Sequence, residues 1–291
     1  MNAESRRPLL LAVAGAGVLA VATLVWVGRT LLAPAPGSKG SLLELLDDNP
    51  RLAKTQPPAV RRRPAPLPPA REAWVSPLRQ SCPMRDFALQ RRLESKLAEL
   101  GRKRQRIAID PTNYGKRFRR DLFGNPVDPT PRLVVLHETV YGLRSALNTF
   151  QTPHPNDDDQ VSYHTLIGQD GAVLDIVDPS NRAYGAGFSA FEGKWVVTSR
   201  KISGSINNFA LHLSLESPVD GEHEGQGHSG YSDAQYDALA VVLVDWMGRF
   251  PISPDAITTH RHVDLGRERA DPRSFNWTKL RYRLAALGAI C

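Results

Sequence analysis

Prolines set the outer limits of what this chain can fold into. Residues 31–80 contain Ala33-Pro34-Ala35-Pro36-Gly37, Pro57-Pro58, Arg61-Arg62-Arg63-Pro64 and Pro66-Leu67-Pro68-Pro69. Each proline removes a backbone donor and fixes φ, so neither a helix nor a central strand runs through such a stretch. It reads as an extended, semi-rigid spacer, interrupted at most by a short helix over 42–46. At about 3 Å per residue, the spacer is long enough to carry a domain well away from a membrane surface.

On the N-terminal side, residues 8–27 carry no charge. Twenty such residues in a helix rise about 30 Å, the thickness of a bilayer core. Arg6 and Arg7 lie before the stretch and Arg29 after it, which favours a cytoplasmic N-terminus. The expectation is a transmembrane anchor over 1–30 and a Pro/Arg-rich linker over 31–80. The protein is then a single-pass protein of the cytoplasmic membrane, with its body in the periplasm or extracytoplasmic space. A cleaved signal peptide is the rival reading, and it exports the body equally. Cys82 and Cys291 are the two cysteines, and both a disulfide and a pair of free thiols stay open.

Charge divides along the same line. Residues 1–106 hold 19 Lys+Arg against 8 Asp+Glu, whereas the remainder holds 18 against 22. The net charge of +7 therefore belongs to the N-terminal arm, and the mildly acidic body offers no basic groove for nucleic acid. A monomer is expected.

After the spacer, Leu89, Leu93, Leu97 and Leu100 recur at helical spacing, which predicts an amphipathic helix within 81–105. Leu133-Val134-Val135-Leu136 has the character of a central strand, and a second strand comes after the Asp170-Gly171 turn, over 171–177. In residues 211–216, Leu211, Leu213 and Leu215 alternate with His212, Ser214 and Glu216, so those three polar side chains share one face. Ser232 with Gln235 makes a capping box ahead of a helix over 232–247, and residues 276–286 read as a last helix. The sum is an α/β domain over 106–291, a sheet covered by helices.

Three regions carry side chains that can do chemistry. His137 directly follows the apolar strand. Thr259-His260-Arg261-His262 follows the apolar pair Ala256-Ile257. Arg267-Glu268-Arg269-Ala270-Asp271-Pro272 puts a carboxylate eleven residues after His260. Two imidazoles and one carboxylate are the ligand set of hydrolytic zinc sites that keep a fourth position open. Spacing alone does not select these residues, since neither HExxH nor clustered CxxC occurs. His262 competes with His260 as a ligand, and Asp157-Asp158-Asp159 is a solvated loop or a calcium site.

Four segments occur in order: Leu133 to Thr139 (LVVLHET), Val161 to Gly171 (VSYHTLIGQDG), Arg182 to Gly187 (RAYGAG), and Thr259-His260 with Gly266 to Pro272 (GRERADP) and Phe275-Asn276-Trp277. Together they resemble the zinc N-acetylmuramoyl-L-alanine amidases related to peptidoglycan recognition proteins and lysozyme-like phage amidases. The resemblance implies a central mixed β-sheet flanked by helices, with a zinc-binding groove. It implies zinc held by His137, His260 and Asp271, and peptidoglycan as the substrate. The bond cut is the amide between N-acetylmuramic acid and L-alanine, hydrolysed by zinc-activated water.

Arg269 stands where relatives carry a cation or another polar group for the oxyanion. For the general base, relatives use a strand glutamate or a tyrosine before histidine. The glutamate position falls on Ser214 or Glu216 depending on alignment, and Glu216 is preferred because a carboxylate is a competent base. Tyr163 of Tyr163-His164 then orients water or oxyanion. Gly185 replaces a histidine that relatives often carry. A non-catalytic peptidoglycan-binding module is the alternative reading.

Overall fold

A computed structural model describes residues 62–79, 82–83, 86–201, 203–223 and 225–291. These belong to one unit spanning residues 60–291. Its centre is a six-stranded mixed sheet built from β1 (Gln105–Arg106), β3 (Leu133–Glu138), β4 (Thr165–Ile167), β5 (Val173–Asp175), β7 (Ala210–Leu215) and β8 (Ile257–Thr259). The strand order is β1-β5-β4-β7-β3-β8, and all neighbours are parallel except β4 with β5. β2 (Tyr114–Lys116) and β6 (Asn181–Ala183) pair antiparallel as a separate two-stranded sheet.

β3 is buried at every residue, as a central parallel strand covered on both faces must be. Its even and odd side chains enter different layers. Val134 and Leu136 join Leu211, Leu213 and Leu215 of β7 beneath the helices α1 (Phe87–Lys103), α3 (Asp233–Arg249) and α5 (Trp277–Ala286). Leu133 and Val135 face the opposite layer with Phe191, Val196, Ile206 and Phe209. The helix α2 (Leu143–Gln151) closes that second layer over Leu166 and Leu174 through Phe150, Leu147 and Ala146.

α3 begins at Ser232, whose side chain accepts from Gln235 N while Gln235 returns the bond, so the expected capping box is formed. The helix is apolar around most of its circumference because the sheet, α1 and α5 all pack on it. Tyr236, Leu239, Leu243 and Trp246 are fully buried there. Side chains of this kind stabilise by about 1.5–3 kcal/mol each on burial. Asp86 caps α1 through the Ala88 and Leu89 N–H groups, and Asn276 caps α5 through Lys279 N.

Residues 62–79 lie along the body in an extended conformation that ends in a 3-10 turn at Pro77–Arg79. Trp195 Nε1 donates to Pro66 O at 2.8 Å, and Trp74 Nε1 donates to Asp255 O at 3.0 Å. Cys82 and Cys291 are bonded, with Cα atoms 5.9 Å apart, which ties the arm to the last residue of the chain.

The uncharged stretch 8–27 and the short helix over 42–46 lie outside the described residues. Among the described residues no helix is long and apolar enough to cross a membrane. The longest, α1 and α3, have 17 residues each, about 25 Å, and both carry charges. Residues 8–27 are not among the described residues, and the expected single-pass membrane protein is corrected below, on the similarity to known enzymes described with the metal centre.

Candidate metal centre

β3 and β8 run parallel and end at the same edge of the sheet, with Leu136 opposite Thr259. His137 is the next residue of β3 and His260 directly follows β8, so the two histidines emerge side by side at that edge. Such carboxyl-terminal edges are where α/β sheets hold their ligands. His260 opens a single helical turn, α4 (His260–Val263), whose N-cap is Thr259. Two residues on a helix point roughly 200° apart. His262 accordingly turns away and packs its ring 4.5 Å from that of Trp74, outside the ligand group.

Asp271 reaches the two histidines from a loop that Asp264 organises. The Asp264 carboxylate accepts from the backbone N–H of Gly266, Glu268 and Arg269 at 3.2, 2.7 and 2.9 Å. Arg261 N in turn donates to Asp271 O at 2.9 Å, which fixes the loop against α4. Asp271 Oδ2 then lies 3.1 Å from His137 Nδ1, and its Oδ1 lies 3.0 Å from His260 Nδ1. Among the described residues His137, His260 and Asp271 are the group whose donor atoms all fall within 4.8 Å of one another. The Asp157–Asp159 turn forms no such group.

Burial pushes His137 down to about 4, against the upward pull of the Asp271 hydrogen bond. Burial by itself raises Asp271, but hydrogen bonds to His137 and His260 hold it well below the usual carboxylate range. A neutral imidazole beside an anionic carboxylate is the protonation state in which these residues bind a metal. The donor set of two nitrogens and one oxygen fits zinc, leaving a fourth position free.

His260 and Asp271 open onto a cavity of about 650 Å³ that Tyr163, Tyr184, Gly185, Glu268 and Arg269 also line. Tyr163 stacks on His137 with ring centroids 4.5 Å apart. Desolvation and the Asp271 charge push its hydroxyl above the ordinary tyrosine range, so it keeps its proton. Arg269 is exposed at the cavity, and its charge acts on both His137 and Tyr163.

Glu216 is not among the cavity-lining residues. Its carboxylate accepts from Leu143 N at 2.7 Å and from Gln169 N at 2.9 Å, capping α2 and holding the turn after β4. That is a structural occupation of both oxygens, in place of the general-base position expected for it. Ser214, the other aligned candidate, lies opposite His137 in the register of β7 with β3; its buried hydroxyl has no protein partner.

Two histidines matter more than the sequence suggests. His228, which sits in a polar loop, has a fully buried side chain with Nε2 2.9 Å from Glu138 Oε2. Glu138 also accepts from Tyr231 and Arg273, and Arg273 donates to the Gly221, His223 and Gly225 carbonyls. His212 lies behind His137, its Nδ1 3.0 Å from His137 Nε2. The shared face of His212 and Ser214 is the only sequence signal for it.

A mixed α/β sheet with a His, His, Asp cluster at its strand ends has the donor set that mononuclear metal hydrolases use. The family model for N-acetylmuramoyl-L-alanine amidases (Amidase_2) matches residues 127–274, and the chain belongs to that family. It is therefore an amidase that acts on peptidoglycan. The 1,6-anhydro-N-acetylmuramyl-L-alanine amidase AmpD of Citrobacter freundii is 30% identical over 175 residues, which cover 60% of this chain and 75% of that one. AmpD of Haemophilus influenzae is 25% identical over 174 residues, covering 60% and 76%.

Among solved structures, a crystal structure of an AmpD derivative matches at 25% identity and a TM-score of 0.46, covering 62% of this chain and 94% of that one. AmpDh3 from Pseudomonas aeruginosa in complex with anhydromuramic pentapeptide matches at 20% identity and a TM-score of 0.41, covering 60% and 62%. Similarity to the AmpD enzymes also overturns the localisation expected from residues 8–27: the chain is not read as a single-pass protein of the cytoplasmic membrane. Family membership stands against the binding-only alternative.

Proposed function

We propose that this chain cleaves the amide between the lactyl group of N-acetylmuramic acid and L-alanine, using zinc held by His137, His260 and Asp271. The observation that carries this reading is the convergence of two imidazole Nδ1 atoms on the Asp271 carboxylate at a cavity about 650 Å³ in volume. When bound there, zinc supplies a Lewis acid for the scissile carbonyl and makes water a nucleophile near neutral pH.

The protein's own residues do the rest. Arg269 offers a permanent charge and paired donors to the oxyanion that develops on the carbonyl. Tyr163, held against His137, donates its hydroxyl to substrate or oxyanion. Glu216 is assigned to the scaffold, so the proton of the attacking water is not taken by a strand glutamate. AmpD relatives are named for 1,6-anhydro-muramyl substrates, and muramyl peptides of that kind are taken as the substrate class here.

Metal analysis tests the reading. The purified chain should carry one zinc, and Asp271→Ala should carry none. A variant that still copurifies with stoichiometric metal contradicts the ligand set.

A further inference from the structure

His137 has two ring nitrogens with different tasks. Nδ1 faces Asp271 at 3.1 Å, and Nε2 faces the opposite way, toward His212 Nδ1 at 3.0 Å. A histidine that offers the Nδ1 lone pair to a metal keeps its proton on Nε2. That N–H then has one acceptor in reach, and His212 accepts only as the neutral ring protonated on Nε2.

The placement of His212 is built. It sits on β7, where Val135 of β3 is its register partner, two residues before His137. Its backbone N–H donates to His164 Nδ1 at 2.9 Å, and the two rings lie nearly parallel with an interplanar angle of 11°. Gly185 leaves room for it: a Cβ at that position would lie 2.4 Å from His212 Cγ and Nδ1. Any side chain at 185 drives the imidazole off its site, so Gly185 and His212 are a matched pair.

We propose that His212 is a positioning residue of the metal centre, accepting from His137 Nε2–H and locking His137 in the tautomer that turns Nδ1 to the metal. This rests on the zinc reading above. Second contacts of this kind usually come from a carboxylate or a carbonyl. A neutral imidazole orients the ligand without adding a second negative charge beside Asp271.

Zinc affinity, measured on the full-length protein by competition with a chromogenic chelator, tests the proposal. His212→Phe keeps an aromatic ring but removes the acceptor, and should weaken zinc binding by about 10–100-fold. His212→Asn, whose Oδ1 takes the place of Nδ1, should recover most of that loss. Thermal denaturation of the metal-free variants checks that each is folded. Wild-type affinity in His212→Phe, or an Asn variant as weak as the Phe variant, overturns the proposal.

If His212→Phe does not fold, ¹⁵N imidazole NMR of the zinc-loaded wild type decides. His212 should carry its proton on Nε2, and a proton on Nδ1 overturns the proposal. A wild-type chain that binds no zinc removes the zinc reading and this inference together. Unchanged affinity in His212→Phe removes only this one.

Discussion

The carboxylate of Glu216, at the end of β7, accepts the backbone N–H of Leu143 at 2.7 Å and so caps α2 from across the sheet. Gly142, the N-cap of that helix, contributes no side-chain bond of its own. An N-terminal helical N–H group needs a partner, and Glu216 supplies it from 73 residues away.

Glu216→Ala should therefore act on stability, lowering it by about 1–3 kcal/mol through the two backbone donors it orphans. Its amidase rate per folded molecule should stay close to wild type, far from the ~10²–10⁴-fold loss that removal of a general base brings. Denaturant titration beside a rate measurement on folded protein separates the two. A catalytic collapse at unchanged stability would restore Glu216 to the chemistry.

Arg269→Ala should lower kcat by roughly 10²-fold or more while leaving zinc content unchanged, as expected for loss of an oxyanion partner. Arg269→Lys keeps the charge and should recover part of the rate. A change confined to KM would make Arg269 a substrate-binding residue only.

The Cys82–Cys291 bond spans 209 residues of sequence. Cys82→Ser should destabilise the fold by about 2–4 kcal/mol, read as a shift in the denaturant midpoint. Identical midpoints for the variant and the oxidised wild type would show that the bond restrains nothing.

His164 is fully buried, and burial pushes its pKa from 6.5 down to about 3. Its Nδ1 accepts from His212 N, so the ring is neutral and its Nε2–H is available to Asn181 O at 3.3 Å. Between those two values the unfolded chain binds a proton that the folded chain refuses. Stability is thus complete above about pH 6.5 and lost as pH falls toward 3, with a slope near 1.4 kcal/mol per pH unit for this one group. Urea midpoints at pH 7 and pH 5 should fall less in His164→Asn than in wild type. Equal decreases would contradict the assignment.

The sequence discloses elements whose signals are local. The apolar run at 133–136 marks β3, the alternation at 211–216 marks β7, and Ser232 with Gln235 marks the start of α3. β1, β2 and β6 span two or three residues, too few to show a period. α2 carries Leu143, Ala146, Leu147 and Phe150 at helical spacing, but its cap comes from β7 and leaves no local signature.

The site divides in the same way. His137, His260 and Asp271 are legible through four ordered motifs, not through spacing. The pairing of His212 with His137 depends on the register of β7 against β3, and the burial of His228 depends on Glu138, 90 residues away. Neither relationship has a period or a motif to betray it. Glu216 misleads a sequence reading because alternation gives the face of a strand and not the partner of a side chain.

The most direct test of the central claim is digestion of muramyl peptides by the zinc-loaded protein, with and without chelator, read by mass spectrometry. The account predicts zinc-dependent release of stem peptides that begin with a free L-alanine amine, abolished by chelator and restored by added zinc. Bound but uncut substrate in the zinc-loaded protein, or cleavage that persists in excess chelator, would contradict it.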